Sequence, residues 1–236
     1  MVHAETLLKD NAHRFLDALA SALNAGLPAP DQLRAEVRKA ALASKRGPES
    51  VFLNQFIIPQ VSLLMQSAEG IGEAEAHQAF LCEGFQNSGL SRYCLGTPSR
   101  STKHPFTKIV GATATEIVLK WNAEQGSPLT QACPDFAFRA PFPFRIVFEG
   151  KYFEEGSAEK AARDLATDIY QAFFYRSLPY APPNTSGAAW DYDFACLIAY
   201  DASSNGSLLA AWSGLAEAVR KGFWEGANVY VMILRS

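Results

Sequence analysis

Residues 144–153, FRIVFEGKYF, constrain the fold of this chain more than any other stretch. The run is aromatic and β-branched, the composition of a half-buried strand. Side chains at i and i+2 of a strand share a face, so Glu149 and Lys151 project together. Thirteen residues separate Glu149 from Asp135, which follows Pro134 at the start of a second strand-like stretch. A charged pair at the end of an apolar strand is costly unless it is solvated or has a task. Two carboxylates suit a hard divalent cation such as Mg²⁺, which prefers oxygen ligands. A lysine beside them can orient water or neutralise charge on a phosphate.

The first ninety residues read as helical. His3–Asn24 carries Leu7, Phe15, Leu16, Leu19 and Leu23 near helical spacing. Gly26 and Pro28 end that helix, and Asp31 is placed to cap a second one running through Leu42. Gly47–Pro48 is a break, after which Ser50 opens the apolar run VFLNQFIIPQVSLLM. Pro59 is expected to kink or divide the helix there. Glu73–Phe85 reads as a shorter helix ending near Asn87–Gly89.

Beyond a basic loop, Thr107–Gln125 reads as a helix broken by Ser127–Pro128. Short strands follow at Leu129–Ala132, Asp135–Arg139 and Phe144–Phe153, with APFP as a turn. Ser157 caps the helix Ala158–Leu178, LPYAPPNTSG is a loop, and Phe194–Tyr200 is a buried strand. Ser207–Gly222 reads as a helix and Ala227–Leu234 as a last strand. The expected class is α/β, a mixed central sheet flanked by helices and preceded by an α-helical N-terminal region. Residues 1–90 are taken as that helical region, packed on a core formed by residues 91–236.

The charge pattern adds a candidate contact surface. No acidic residue occurs from Gly84 to Thr115, where Arg92, Arg100, Lys103 and Lys108 accompany Ser and Thr donors. That mixture suits phosphate contacts, although a solvated loop with ordinary basic residues has the same composition. The net charge of −3 leaves local charge as the relevant quantity. The four cysteines form no CxxC pair and read as free thiols of a reducing cytoplasm. The histidines show no metal-ligand spacing, and His3 and His13 are expected on a solvated helix face. No apolar run is long enough for a membrane span, and no nucleophile-elbow or phosphate-loop glycine pattern occurs.

The element order from Thr107 to Leu234, with Pro134–Asp135 on one strand and Glu149–Gly150–Lys151 on the next, resembles the PD-(D/E)xK nuclease superfamily. Glu149–Gly150–Lys151 is the only ExK in the chain. Gln171 and Tyr175 on the following helix form a QxxxY spacing that resembles the RecB- and Cas4-like branches. The resemblance implies a restriction-endonuclease-like fold and an Mg²⁺-dependent DNA endonuclease, with Mn²⁺ as a substitute ion. It implies Asp135 and Glu149 as metal ligands, the Gly150 carbonyl as a further contact, and Lys151 as the cation that orients water. Glu116, on the helix expected before the sheet, is the candidate for a further acid. Gln171 and Tyr175 fall near the active site and the DNA, and Arg92, Arg100, Lys103 and Lys108 along its backbone. A type II restriction enzyme or another defence nuclease is the leading expectation, and cutting both strands favours a homodimer. A RecB/Cas4-like repair exonuclease and a non-catalytic nucleic-acid-binding protein of the same fold are the alternatives.

Each of these residues also has a purely structural reading. Glu149 and Lys151 can form an exposed ion pair, and Asp135 can be a turn residue after Pro134. Gln171 and Tyr175 can be a surface amide beside a core tyrosine, and Glu116 can pair with Lys120 at i+4. Asp164 and Asp168, on the helix that carries Gln171, read as solvated charge.

Overall fold

A computed structural model describes residues 2–68, 80–82, 135–138, 143–176 and 192–235. The described chain is mixed α/β. Helices α1 (Val2–Gly26), α2 (Pro30–Ser44) and α3 (Pro48–Phe52) lead into a π-turn (Leu53–Ile57) and α4 (Ile58–Ala68). Strands β1 (Phe80–Cys82), β2 (Phe136–Phe138) and β3 (Ile146–Phe153) follow, then α5 (Ala158–Arg176) and β4 (Phe194–Asp201). Helices α6 (Ser207–Ser213) and α7 (Glu217–Ala227) precede the last strand, β5 (Val229–Leu234).

The five strands lie in sequence order in one sheet. β1, β2 and β3 are antiparallel neighbours, while β3, β4 and β5 run parallel. The parallel crossover from β3 to β4 is carried by α5, as a parallel pair requires. Arg145 and Asp193, each just before its strand, clamp the start of that pair. The Arg145 side chain donates to both Asp193 carboxylate oxygens, at 3.2 and 2.9 Å.

Alternation along the strands divides the core in two. Ile146 and Phe148 of β3, with Phe194, Cys196 and Ile198 of β4, pack against α1, α2, α3, the π-turn and α4. Val147 and Phe153, with Ala195, Leu197 and Ala199, pack against α5. Phe15 of α1 meets Phe138 edge-on at 5.7 Å, which seats the N-terminal helices directly on the sheet. Leu7, expected in that apolar stripe, is 60% exposed.

Several local expectations change. β1 lies inside Glu73–Phe85, because pairing of Phe80–Cys82 with β2 outweighs the weak helical periodicity there. Asp31 does not cap α2, since Pro30 already occupies the first turn; it bonds Arg34 instead. Pro59 divides its helix as expected, and the device is specific. Proline lacks an N–H and its ring crowds the carbonyl four residues back. The turn before it widens, so that Ile58 N–H donates to Leu53 O, five residues away. Ser157 does cap α5, its hydroxyl accepting from Lys160 N–H at 3.2 Å.

The helix expected over Ser207–Gly222 breaks at Gly214–Ala216, where α7 redirects to lie along β5. Asn228 then ends α7 in the left-handed region at φ 54°, a conformation asparagine tolerates better than most residues. His13 is half-exposed and packs against Trp224 and Tyr230, with ring centroids 5.2 and 5.5 Å away, so its face is not simply solvated.

Among the described residues no helix is long and apolar enough to cross a membrane. The expected helix Thr107–Gln125, the strand Leu129–Ala132, most of the APFP turn and most of the loop after α5 lie outside the described residues.

Candidate functional site

The antiparallel register of β2 and β3 pairs Phe136 with Phe148, and one further step brings Asp135 opposite Glu149. β2 ends there, so Asp135 continues the ladder with its side chain: Gly150 N–H donates to Asp135 Oδ2 at 2.7 Å. The expected period of two places Glu149, Lys151 and Phe153 on the α5 face and leaves Gly150 on the other.

Lys151 Nζ donates to Glu149 Oε1 at 2.7 Å. This contact is the ion pair of the structural reading, but Glu149 is only 4% exposed, so the pair is not a surface one. Burial pushes the Glu149 carboxyl well above its ordinary range, and the neighbouring Asp135 charge pushes the same way. Burial opposes the Lys151 charge, yet the carboxylates of Glu149, Glu49 and Asp168 outweigh it and hold the ammonium above its usual pKa. Lys151 therefore stays charged, while Asp135 and Glu149 resist being charged together without a further cation.

Helix α5 supplies the roof. Gln171 Nε2 donates to the Tyr175 hydroxyl at 2.9 Å, as the one-turn spacing allows. Tyr175 is buried, which raises its phenol pKa, and the Glu149 carboxylate raises it further. The QxxxY pair thus stands over the acidic pair on the strands. Its structural reading also holds in part, because Tyr175 belongs to the apolar cluster beneath α5.

Two residues near Lys151 were not expected there. Glu49, in the first turn of α3, places Oε1 3.6 Å from Lys151 Nζ. An acid in a first turn is ordinary dipole compensation, so the local sequence gives no signal of a longer reach. Asp168, expected as solvated charge, is instead largely withdrawn from water, and burial lifts its pKa to about 7 despite Lys151. Its position one turn before Gln171 was the available signal. Asp164 keeps the expected surface role, paired with Lys160 at 3.4 Å. A cleft of about 510 Å³ opens beside Lys151, bounded by Glu49, Glu154, Asp164 and Asp168.

The raised Asp168 pKa has a signed consequence for stability. The folded state holds the proton up to about 7, whereas the ordinary value is 3.8, so stability is lost as pH rises between them. Glu49 and Asp164 raise this pKa and Lys151 lowers it. Asp168→Asn is expected to make that decline shallower, with Glu149, itself raised by burial, supplying the rest, as measured by urea unfolding without added metal across this range. An unchanged slope would show that another group produces it.

Among the described residues no group of three or more His, Cys, Asp or Glu side chains is placed to hold a metal ion. Mg²⁺ does not need one, since it keeps several waters and is often held by one or two carboxylates plus substrate phosphate. The residues present fit such an ion. Asp135 and Glu149 are opposed oxygen donors whose mutual repulsion a divalent cation would reverse. The Gly150 carbonyl lies on the strand between Glu149 and Lys151. Glu116, Arg92, Arg100, Lys103 and Lys108 lie outside the described residues.

No family model, curated protein or solved structure matches this chain.

Proposed function

We propose that this protein is a metal-dependent deoxyribonuclease that hydrolyses phosphodiester bonds, acting as an endonuclease of the restriction or defence type. One observation carries the reading: Asp135 faces Glu149 across two antiparallel strands, with Lys151 on the same face two residues on. The sheet supports it too. Antiparallel β2 and β3, followed through α5 by parallel β4, form a mixed sheet of the class expected from the sequence, with Phe80–Cys82 as its first strand.

In this reading Asp135, Glu149 and the Gly150 carbonyl would hold Mg²⁺ or Mn²⁺, which would supply Lewis-acid chemistry to the phosphate and to the attacking water. Lys151 holds the attacking water in line with the scissile bond and offsets negative charge as the pentavalent phosphorus forms. The water oxygen bonds to phosphorus as the P–O3′ bond breaks. The attacking water gives its proton to solvent and the leaving 3′ oxygen takes one from solvent, which leaves a 3′-hydroxyl and a 5′-phosphate, as the resemblance implies. Gln171 and Tyr175 cover this water from the α5 side and limit access of bulk solvent. Glu116 is the proposed further acid, and Arg92, Arg100, Lys103 and Lys108 the proposed backbone contacts, with salt-sensitive affinity. DNA is the proposed substrate, a homodimer the arrangement that cuts both strands, and the cytoplasm the compartment.

Incubating the full chain with supercoiled plasmid and with linear DNA, with and without Mg²⁺ or Mn²⁺, tests the proposal. Discrete fragments in metal alone support an endonuclease, and progressive loss from ends makes it an exonuclease. DNA unchanged under every condition would refute nuclease activity.

A further inference from the structure

The N-terminal helices reach the site through one close packing contact. A Cβ on Gly150 would stand 2.0 Å from Leu53 Cδ2, so the glycine is what allows the π-turn to press on β3. Leu53 is 3% exposed and belongs to the core shared by the N-terminal helices and the sheet. Glu49 lies four residues before Leu53, about one turn along the same rod. Glu49 Oε1 lies 3.6 Å from the Lys151 ammonium.

We infer that Glu49 is a positioning residue for the Lys151 ammonium, with its reach set by the seat of Leu53 on Gly150. The inference rests on the nuclease reading for its catalytic consequence. Glu149 is claimed twice, by Lys151 at 2.7 Å and by the proposed metal position. A carboxylate engaged by a divalent cation is a weaker partner for an ammonium, and Lys151 then needs another anchor. Glu49 arrives from a different element and is 44% exposed. Asp168 adds negative charge from α5. Held from these directions, the Lys151 side chain keeps one orientation, which saves the rotamer entropy a free lysine would lose at each turnover.

The test uses Glu49→Gln and Glu49→Asp in the full chain. For Glu49→Gln, kcat for plasmid cleavage in Mn²⁺ is expected to fall about 10- to 100-fold, the range of lost orientation and charge. KM for DNA and the Mn²⁺ dissociation constant, measured without DNA, should stay within about twofold, since neither depends on the lysine anchor. Glu49→Asp, one methylene shorter, should recover part of kcat. An Mn²⁺ affinity weakened tenfold or more would overturn the inference by making Glu49 a ligand, and an unchanged kcat would overturn it directly.

A metal-free double-mutant cycle with Lys151→Met separates this inference from the nuclease reading. Urea unfolding should give a coupling of about 2- to 10-fold in the unfolding constant. Zero coupling defeats the positioning role even if the protein cleaves DNA. A protein that shows the coupling and never cleaves retains the contact and loses the nuclease reading.

Discussion

Asp135→Asn is expected to lower Mg²⁺-dependent cleavage by about 10³-fold, the scale of removing a preorganised electrostatic group. The substitution keeps the shape of the side chain and an oxygen for Gly150 N–H, which now donates to Asp135 Oδ2 at 2.7 Å. What it removes is one of two opposed charges. Glu149 is held well above its ordinary pKa by burial and then by Asp135, so the metal-free fold should be as stable as before or more stable. Affinity for duplex DNA should stay within about threefold, because phosphate contacts by cations dominate it. Lys151→Ala should give the same loss of cleavage from the other side of the site. Thermal melts, DNA-binding titrations and plasmid digests of the two variants check these outcomes together. Full Mg²⁺-dependent activity in Lys151→Ala would sink the assignment of the lysine.

Gly150→Ala is expected to destabilise the fold by about 3 kcal/mol, the upper part of the usual overpacking range. On a chain of 236 residues that corresponds to roughly an 8 °C fall in melting temperature. The added methyl would meet Leu53 Cδ2 at 2.0 Å, with Cδ1 and Cγ both at 2.9 Å, so the whole isobutyl group must move. Leu53 is held by the core and has no free side to move into. Leu53→Ala alone should cost about 3 kcal/mol through lost burial and the cavity left behind. In the double variant the methyl occupies part of that space, so the total should fall well short of the sum. Additive costs in urea unfolding would show that the two residues do not share this contact.

The parts of the site that could be read from the sequence all lie on one short length of chain. Alternation along FRIVFEGKYF placed Glu149 and Lys151 on one face because strand geometry is local. The helical spacing of Gln171 and Tyr175 was local in the same sense. Asp135 needed one additional step, an antiparallel partner, and the Pro-Asp start of an apolar stretch was enough to suggest it. Glu49 could not be found this way. Its approach to Lys151 depends on three-dimensional packing across about a hundred residues of chain, and its own surroundings describe an unremarkable helix start. Asp168 was visible but misread, since an acid between Leu165 and Ile169 looks solvated until the sheet beneath it is known.

The fold divides along similar lines. Long amphipathic segments such as α1 and α5, and the β-branched runs of β3, β4 and β5, were legible because their periodicity is strong. β1 was not, because three residues carry too little pattern to resist a helical reading and only pairing with β2 makes them a strand. The break between α6 and α7 likewise follows from where α7 must lie against β5. Local preference alone would have carried the helix through Gly214.

The π-turn between α3 and α4 has a geometric meaning of its own. One residue beyond the regular helical count turns everything before it by about 100° relative to everything after it. α3 and α4 form one rod in outline but two in phase. The rod can bury Val61 and Ile58 in the core and still turn Glu49 toward the end of β3. A regular helix with the same buried stripe would aim that carboxylate elsewhere. The single extra residue acts as a setting of angle, fixing in which direction the N-terminal region addresses the sheet.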